Sequence, residues 1–214
     1  MTMRRTLRAA VADTSGVTAV EFALSLPLLM LMAMGGLEIA NMAIVHMRIN
    51  QIAVSLADNA SRMKQSSTNG EPRFREVDAN EALKAAEQQG ADLKLVENGR
   101  VILSSLQTNA TGGQTIQWQR CTGQKTSYTS DYGTQGTGAV GNAYAGMGPA
   151  GKEVTAESGE AIMVAEVVYN YRPLILDRLY DNLVVRKYSA MYVRDKRDLT
   201  QIYNPSPTAT VSSC

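Results

Sequence analysis

The sequence is poor in the residues on which most enzyme and metal sites depend. Its 214 residues include one histidine and two cysteines, and the formal net charge is only +1. The two cysteines, Cys121 and Cys214, lie far apart and form no CxxC pair, which excludes a zinc or thioredoxin-like motif. No nucleophile–base motif and no metal-ligand spacing is visible, so we expect no catalytic, metal or cofactor site. The near-neutral charge gives no basis for nucleic-acid binding, which needs a clustered basic surface.

A long apolar segment near the N-terminus is the main feature that is present. No residue from Phe22 to Leu37 is charged, and a further extension to Val45 adds only Glu38. The result is about 24 residues, and roughly 20 are enough to span a bilayer. The segment is longer than the apolar core of a secretory signal peptide, and no A-x-A-like exit follows it. The pattern therefore predicts a retained transmembrane helix.

Basic residues precede this segment, and no similar cluster follows it directly. Arg4, Arg5 and Arg8 all lie in residues 1–16. The positive-inside tendency places this leader in the cytoplasm and the bulk of the chain on the other side of the membrane.

A small residue and an acid mark the start of the apolar segment. Gly16 is followed five positions later by Glu21. An ionisable group near the start of a spanning helix is costly and tends to have a partner. If a peptidase cleaves after Gly16, the new α-amine of Val17 lies only four residues from Glu21. The alternative interpretation is a plain single-pass anchor.

The stretch GVTAVEFALSLPLLMLMAMGGLEIANM resembles the start of the TadE/TadF-like minor pilins, or pseudopilins, of the tight-adherence (Tad) type IV pilus system. The matching features are Gly16, AVEFAL, LPLL and GGLEIA, and the resemblance covers residues 16–62. It implies cleavage after Gly16 by a dedicated prepilin peptidase and a role in assembling or priming the pilus. The implied partners are other pilin-like subunits and the inner-membrane pilus platform. The resemblance also implies that Glu21 neutralises the N-terminal amine of a neighbouring subunit and so sets the axial register of the helices.

The same resemblance implies a location. The helix would lie in the bacterial inner membrane with its head in the periplasm, and the subunit would then join or cap the extracellular pilus. A different class of function stays open, namely a permanently anchored periplasmic binding or scaffold module that is not processed.

A second acid, Glu38, lies well inside the apolar stretch. One interpretation is an intramembrane contact with another pilin-like subunit or with the platform. The other is that the helix shifts or tilts so that Glu38 lies near the outer headgroups.

The helical pattern continues beyond the membrane. A continuous helix is predicted over Val17–Met63, with an apolar stripe at helical spacing that belongs either to the head core or to a partner interface: Ile49, Ile52, Ala53, Leu56, Ala57, Ala60 and Met63. A second helix is predicted over Ala79–Gln89, with Asp78 as N-cap, Glu81 completing a capping box and Gly90 as the stop.

The rest of the chain predicts an antiparallel sheet. Asn98-Gly99, between alternating apolar residues, predicts a β-hairpin. Further strands are predicted around Ile116 and Trp118, over Glu160–Tyr171 and over Val184–Arg194, and the last two are connected through Asp177–Asn182. We therefore predict an α+β fold: leader 1–16, transmembrane and stem helix 17–64, and a head at 65–214.

Two features of the head stay open at this stage. The Gly-, Ser- and Thr-rich residues 122–151 are predicted to form a long loop, which is either an exposed contact tip or an unstructured connection. The C-terminal Cys214 can form a disulfide with Cys121 if the head is exported, and two unpaired thiols are the alternative.

Overall fold

The computed structural model describes residues 15–67, 70–175 and 183–214 of the chain. Its elements in chain order begin with α1 (Ser15–Arg62), β1 (Gln65–Ser67), β2 (Gly70–Arg75) and α2 (Glu76–Gln89). A 3₁₀ turn (Ala91–Leu93) and the short helix α3 (Leu95–Asn98) lead to β3 (Gly99–Thr108), β4 (Gln114–Thr122), β5 (Ile162–Asn170), β6 (Val184–Tyr192) and β7 (Asp198–Tyr203). The leader residues 1–14 and the predicted connection Asp177–Asn182 lie outside the described residues.

The head is built on a four-stranded antiparallel sheet in the order β4-β3-β5-β6. A smaller sheet, β1-β2-β7, pairs β2 with β7 in parallel and was not predicted from the sequence. The α+β fold with a long helix leading to a sheet is confirmed.

The upper half of α1 lies across one face of the main sheet, with α2 beside it. The predicted apolar stripe forms the centre of this core, together with inward-facing residues of α2 and the strands such as Leu83, Leu103, Trp118, Met163 and Val167. Val45 extends the same stripe towards the N-terminus, and Met63 packs at its edge. The stripe is therefore core of the head, and the stem and head form one packed unit.

The other face of the sheet is covered by the long connection between β4 and β5. A second, smaller core lies beneath it, formed by Leu106, Ile116, Met147, Ala156, Ile162 and Val164. Asn109, in the β3–β4 turn, fixes this connection by donating from Nδ2 to the carbonyls of Gly138 (2.8 Å) and Gly141 (2.7 Å). Gly138 has φ +74°, and a Cβ there would lie 2.2 Å from the Gln114 carbonyl oxygen, so the close approach requires glycine. The connection observed between β4 and β5 is thus packed on the sheet along much of its length.

Two local predictions are wrong. The first is the hairpin at Asn98-Gly99. Asn98 is instead the last residue of α3, and its side chain donates to the carbonyl of Lys94 (3.1 Å), which precedes the helix. Gly99 then starts β3, which pairs with β5. Leu95 is buried in this helical turn, so tertiary packing of an apolar side chain overrides the local turn signal. The actual hairpin turn lies at residues 109–113, where Asn109 Oδ1 accepts from the amides of Thr111 and Gly113.

The second error is the start of α2. The helix begins at Glu76, before the predicted N-cap, and Arg75 occupies the cap position. Asp78 lies inside the first turn and accepts from the Arg75 amide (2.9 Å) and guanidinium (2.7 Å). Asp78 does take part in capping the helix, but it does so from the third helical position. Glu81 does not complete the capping box. Gly90 ends the helix as predicted.

Candidate assembly surface and helix–head junction

The lower half of α1, residues 16–37, projects from the head as a free apolar rod. Nearly all of its side chains are exposed, including Val17, Val20, Phe22, Leu24, Leu28, Leu29, Met30, Leu31, Met32, Met34 and Leu37. At about 1.5 Å per residue this rod is roughly 33 Å long, close to the roughly 30 Å hydrocarbon core of a bilayer. Within the described residues, α1 is the one helix long and apolar enough to cross a membrane, which is compatible with a single-pass anchor.

The predicted processing residues lie at the start of this rod. Gly16 and Val17 are exposed, and Val17 and Glu21 are one helical turn apart, so they share a face of α1. Glu21 is exposed too, and within the described part of the chain no hydrogen bond or ion pair involves its side chain. Cleavage after Gly16 and the register role of Glu21 stay predictions. Arg4, Arg5 and Arg8 lie outside the described residues.

Glu38 marks the level at which α1 meets the head. Its side chain is fully buried, with 0% exposed. The carboxylate accepts a hydrogen bond from the Tyr171 hydroxyl and from the amides of Leu174 (3.1 Å) and Ile175 (3.0 Å). All three donors belong to the segment that follows β5, so the acid ties the membrane-side end of the sheet to the helix.

Tyr171 completes this junction. Its hydroxyl also accepts a hydrogen bond from Asn41 Nδ2 (2.8 Å), one turn along α1 from Glu38. Burial, and then the hydrogen bond to Glu38, raise the pKa of Tyr171 to about 12. The phenol therefore keeps its proton at physiological pH and remains a donor to the carboxylate.

These contacts bear on the two interpretations of Glu38. Glu21 and Glu38 are separated by about 26 Å along the helix axis, so the structure does not bring the two acids together. Because the free rod ends at Glu38, a bilayer spanned by residues 16–37 would have this residue at its head-side edge. The position supports the interpretation that places Glu38 near the headgroups. A contact between Glu38 and another subunit or the platform stays a prediction.

A second buried acid, Glu166, lies on the opposite face of the sheet and was not singled out from the sequence. Only 3% of the residue is exposed, and its carboxylate accepts from Ser130 Oγ (2.5 Å) and the Asp131 amide (3.2 Å) of the long connection. Arg186 forms an ion pair with Asp131 (2.8 Å) above it. Tyr132 packs edge-on against Tyr188, and together these groups line a small cavity of about 50 Å³.

Burial raises the pKa of Glu166 to about 7, and the two hydrogen bonds oppose that shift. The carboxyl thus titrates near neutral pH while it holds the connection on the sheet. The sequence signal was an acid in the otherwise apolar run IMVAEVVY of β5.

The C-terminal segment is fixed to the head by a disulfide and by hydrogen bonds. Cys121 and Cys214 form a disulfide with 4.9 Å between their Cα atoms, which confirms the predicted pairing. The Cys121 amide donates to the Ser212 carbonyl (2.8 Å), and Asn80 of α2 donates to the Thr210 carbonyl (2.7 Å). The tail therefore bridges the edge strand β4 and α2.

These features place the chain in a class of proteins in which one long helix serves both as an apolar rod of membrane length and as a core element of an α+β head. No deep cavity lined by catalytic groups is visible in the described residues.

Comparison with known families narrows this class. The family model described as TadE-like protein matches residues 16–57, which include the whole free rod and most of the upper half of α1. The match confirms the resemblance to TadE-like proteins and indicates an association with the Tad pilus and the membrane. No curated protein and no solved structure matches the chain.

Proposed function

We propose that this protein is a minor pilin or pseudopilin that takes part in assembling or priming a Tad pilus. The observation that carries the proposal is the free apolar rod at residues 16–37 with Glu21 on its surface, inside the segment that matches the TadE-like family. A surface of this kind has two natural environments, the lipid of a bilayer and the packed helices of a filament. The proposed role is structural and involves no catalysis.

The proposed mechanism starts with cleavage after Gly16 by a prepilin peptidase. Gly16 is exposed at the beginning of α1, and among the described residues no atom outside the adjacent helix backbone lies within 4 Å of the position that a Cβ would take. The cut creates a positive α-amine on Val17, one turn from the carboxylate of Glu21. When rods of neighbouring subunits pack side by side, the amine of one pairs with Glu21 of the next.

Such a pair forms in a medium of low dielectric constant, where an unpaired charge is costly. Only the axial offset that pairs both charges is then favourable, so the pair selects the register of the helices. The partners in this proposal are other pilin-like subunits and the inner-membrane platform. The N-terminus would face the cytoplasm and the head the periplasm.

Mass spectrometry of the intact N-terminus tests the proposal. Protein purified from membranes of cells that contain the prepilin peptidase should begin at Val17, and protein from cells lacking the peptidase should retain residues 1–16. Gly16→Trp should block the cut, whereas Gly36→Trp, the same change at an exposed glycine farther along the rod, should not. An unprocessed N-terminus in the presence of the peptidase would contradict the proposal and favour the permanently anchored binding or scaffold module.

A further inference from the structure

The segment that follows β5 exposes two large apolar side chains at the membrane-side end of the head. Leu174 is 67% exposed and Ile175 is 42% exposed. Arg172, just before them, is exposed as well, and Pro173 lies between. Exposed apolar side chains of this size on the surface of a head that faces water indicate a contact with a partner outside the head.

Hydrogen bonds fix the level of this segment along α1. The amides of Leu174 and Ile175 both donate to Glu38, at 3.1 and 3.0 Å. Glu38 is the point where the free rod ends and the head begins. The two apolar side chains are therefore held within a few ångströms of the level at which a rod spanning a bilayer leaves the hydrocarbon.

The apolar surface of the rod reaches the level of this segment along α1. Leu37 and Ile39, on either side of Glu38, are both largely exposed, and they extend the apolar rod up to the segment. An arginine beside apolar side chains suits the interfacial layer, because its aliphatic stem contacts acyl chains while the guanidinium reaches the phosphates. The continuity with the rod indicates lipid as the occupant.

We propose that Arg172–Ile175 forms a second membrane contact of the head, with Leu174 and Ile175 in the interfacial layer of the bilayer that residues 16–37 span. The contact goes beyond the proposed pilus role and depends only on the rod crossing the membrane. It gives the head two points of attachment, α1 and this segment. Two points restrict the rotation of the head about the helix axis and its tilt towards the membrane, which a single helix leaves free.

Tryptophan quenching by brominated lipids tests this contact in the full chain reconstituted into nanodiscs. Trp118 is the only native tryptophan, and it is buried and stacked on Phe74 with ring centroids 5.3 Å apart. Its emission supplies a baseline that lipid does not reach and also reports that the head is folded. The test variant is Leu174→Trp, with Ile175→Trp as a second probe of the same segment.

Two further tryptophan variants serve as controls. Leu28→Trp places the probe in the middle of the rod. Val140→Trp places it on a more exposed site, 89% exposed against 67% at Leu174, in the connection held by Asn109 at the far end of the sheet. One set of discs carries bromines near the headgroup end of the acyl chains, and the other carries them near the bilayer centre.

The proposal expects that Leu174→Trp loses intensity to shallow bromines more than to deep ones, whereas Leu28→Trp shows the reverse order and Val140→Trp matches the wild-type baseline. Quenching of Leu28→Trp with none at positions 174 and 175 would overturn the membrane contact and assign the exposed pair to a protein partner. Quenching at none of the probes would overturn both the contact and the spanning rod. The two failures are thus distinguishable.

Discussion

The Tyr171 hydroxyl donates a hydrogen bond to the buried carboxylate of Glu38, across 133 positions of sequence. This contact joins the end of the central strand β5 to the middle of the long helix. It explains how an acid is accommodated inside an apolar segment: the carboxylate is removed from both lipid and water, and among the described residues Tyr171, Leu174 and Ile175 donate hydrogen bonds to it.

The junction around Glu38 should contribute measurably to stability. Tyr171→Phe removes one donor, and we expect a loss of about 1–2 kcal/mol in the free energy of unfolding. Glu38→Ala leaves a buried hydroxyl and two amides without their acceptor, and the expected loss is larger, about 3 kcal/mol or more. Urea unfolding of the detergent-solubilised protein, followed through Trp118, measures both. The exposed Glu157→Gln serves as control and should be neutral, and equal stability of Glu38→Ala and the wild type would show that the junction is not needed to hold the head.

The stability of the head should depend on pH through Glu166. Its pKa in the folded protein is about 7, above the ordinary value of 4.5, so the native chain binds this proton more tightly than the unfolded chain. The contribution to stability is fully present below pH 4.5 and is lost as the pH rises to about 7. The loss is at most roughly 3 kcal/mol.

Glu166→Gln isolates this contribution. The variant cannot ionise at this position, and its amide oxygen can still accept from Ser130. Urea unfolding at pH 5 and at pH 8 should show that the wild type loses more stability between the two values than the variant does. An identical pH dependence of the two proteins would mean that Glu166 titrates as it does in water.

The disulfide should hold the tail against β4 and α2. Cys121→Ser combined with Cys214→Ser avoids a leftover thiol and removes a cross-link between residues 93 positions apart. The chain-entropy model gives roughly 4–5 kcal/mol as an upper value for the loss. Limited proteolysis should then cut the tail between Asn204 and Ser212 in the variant, while the wild type resists in the absence of reductant. Equal resistance of both proteins would assign the fixing of the tail to its hydrogen bonds with Asn80 and β4.

Glu21 should matter for assembly and not for folding. Glu21→Gln keeps the size of the side chain but removes the charge that pairs with a neighbouring α-amine. Because Glu21 contacts nothing in the described head, membrane insertion and the unfolding curve should not change. Pilus production, counted by electron microscopy, should fall strongly. Ser25→Ala, one turn farther along the same exposed rod, should leave piliation normal, and normal piliation with Glu21→Gln would falsify the register mechanism.

The elements with long, regular patterns were predicted well. The helix predicted over Val17–Met63 is observed over Ser15–Arg62, and the two long strands are observed over Ile162–Asn170 and Val184–Tyr192. In each case the spacing of apolar residues repeats over several helical turns or several alternating strand positions. A single residue that breaks the pattern therefore does not change the predicted element.

Short signals were less reliable because packing competes with them. Asn98-Gly99 has the chemistry of a hairpin turn, but the burial of Leu95 selects a helical turn. The small sheet β1-β2-β7 joins segments more than a hundred residues apart through strands of six residues or fewer, and no local pattern marks them. Long-range pairing of this kind depends on where the larger elements place their ends.

The sequence by itself determined the two-part design of the protein: an apolar helix with Gly16 and Glu21 at its start, followed by an α+β head. Periodicity and charge placement are local properties, and they can be read without knowing any contact. The tertiary structure alone decided the surroundings of the two buried acids. Glu38 lies beside Tyr171 and Glu166 beside Ser130 because strand register and a long connection bring distant residues together, and burial then gives a single carboxylate a structural role that its position in the sequence does not reveal.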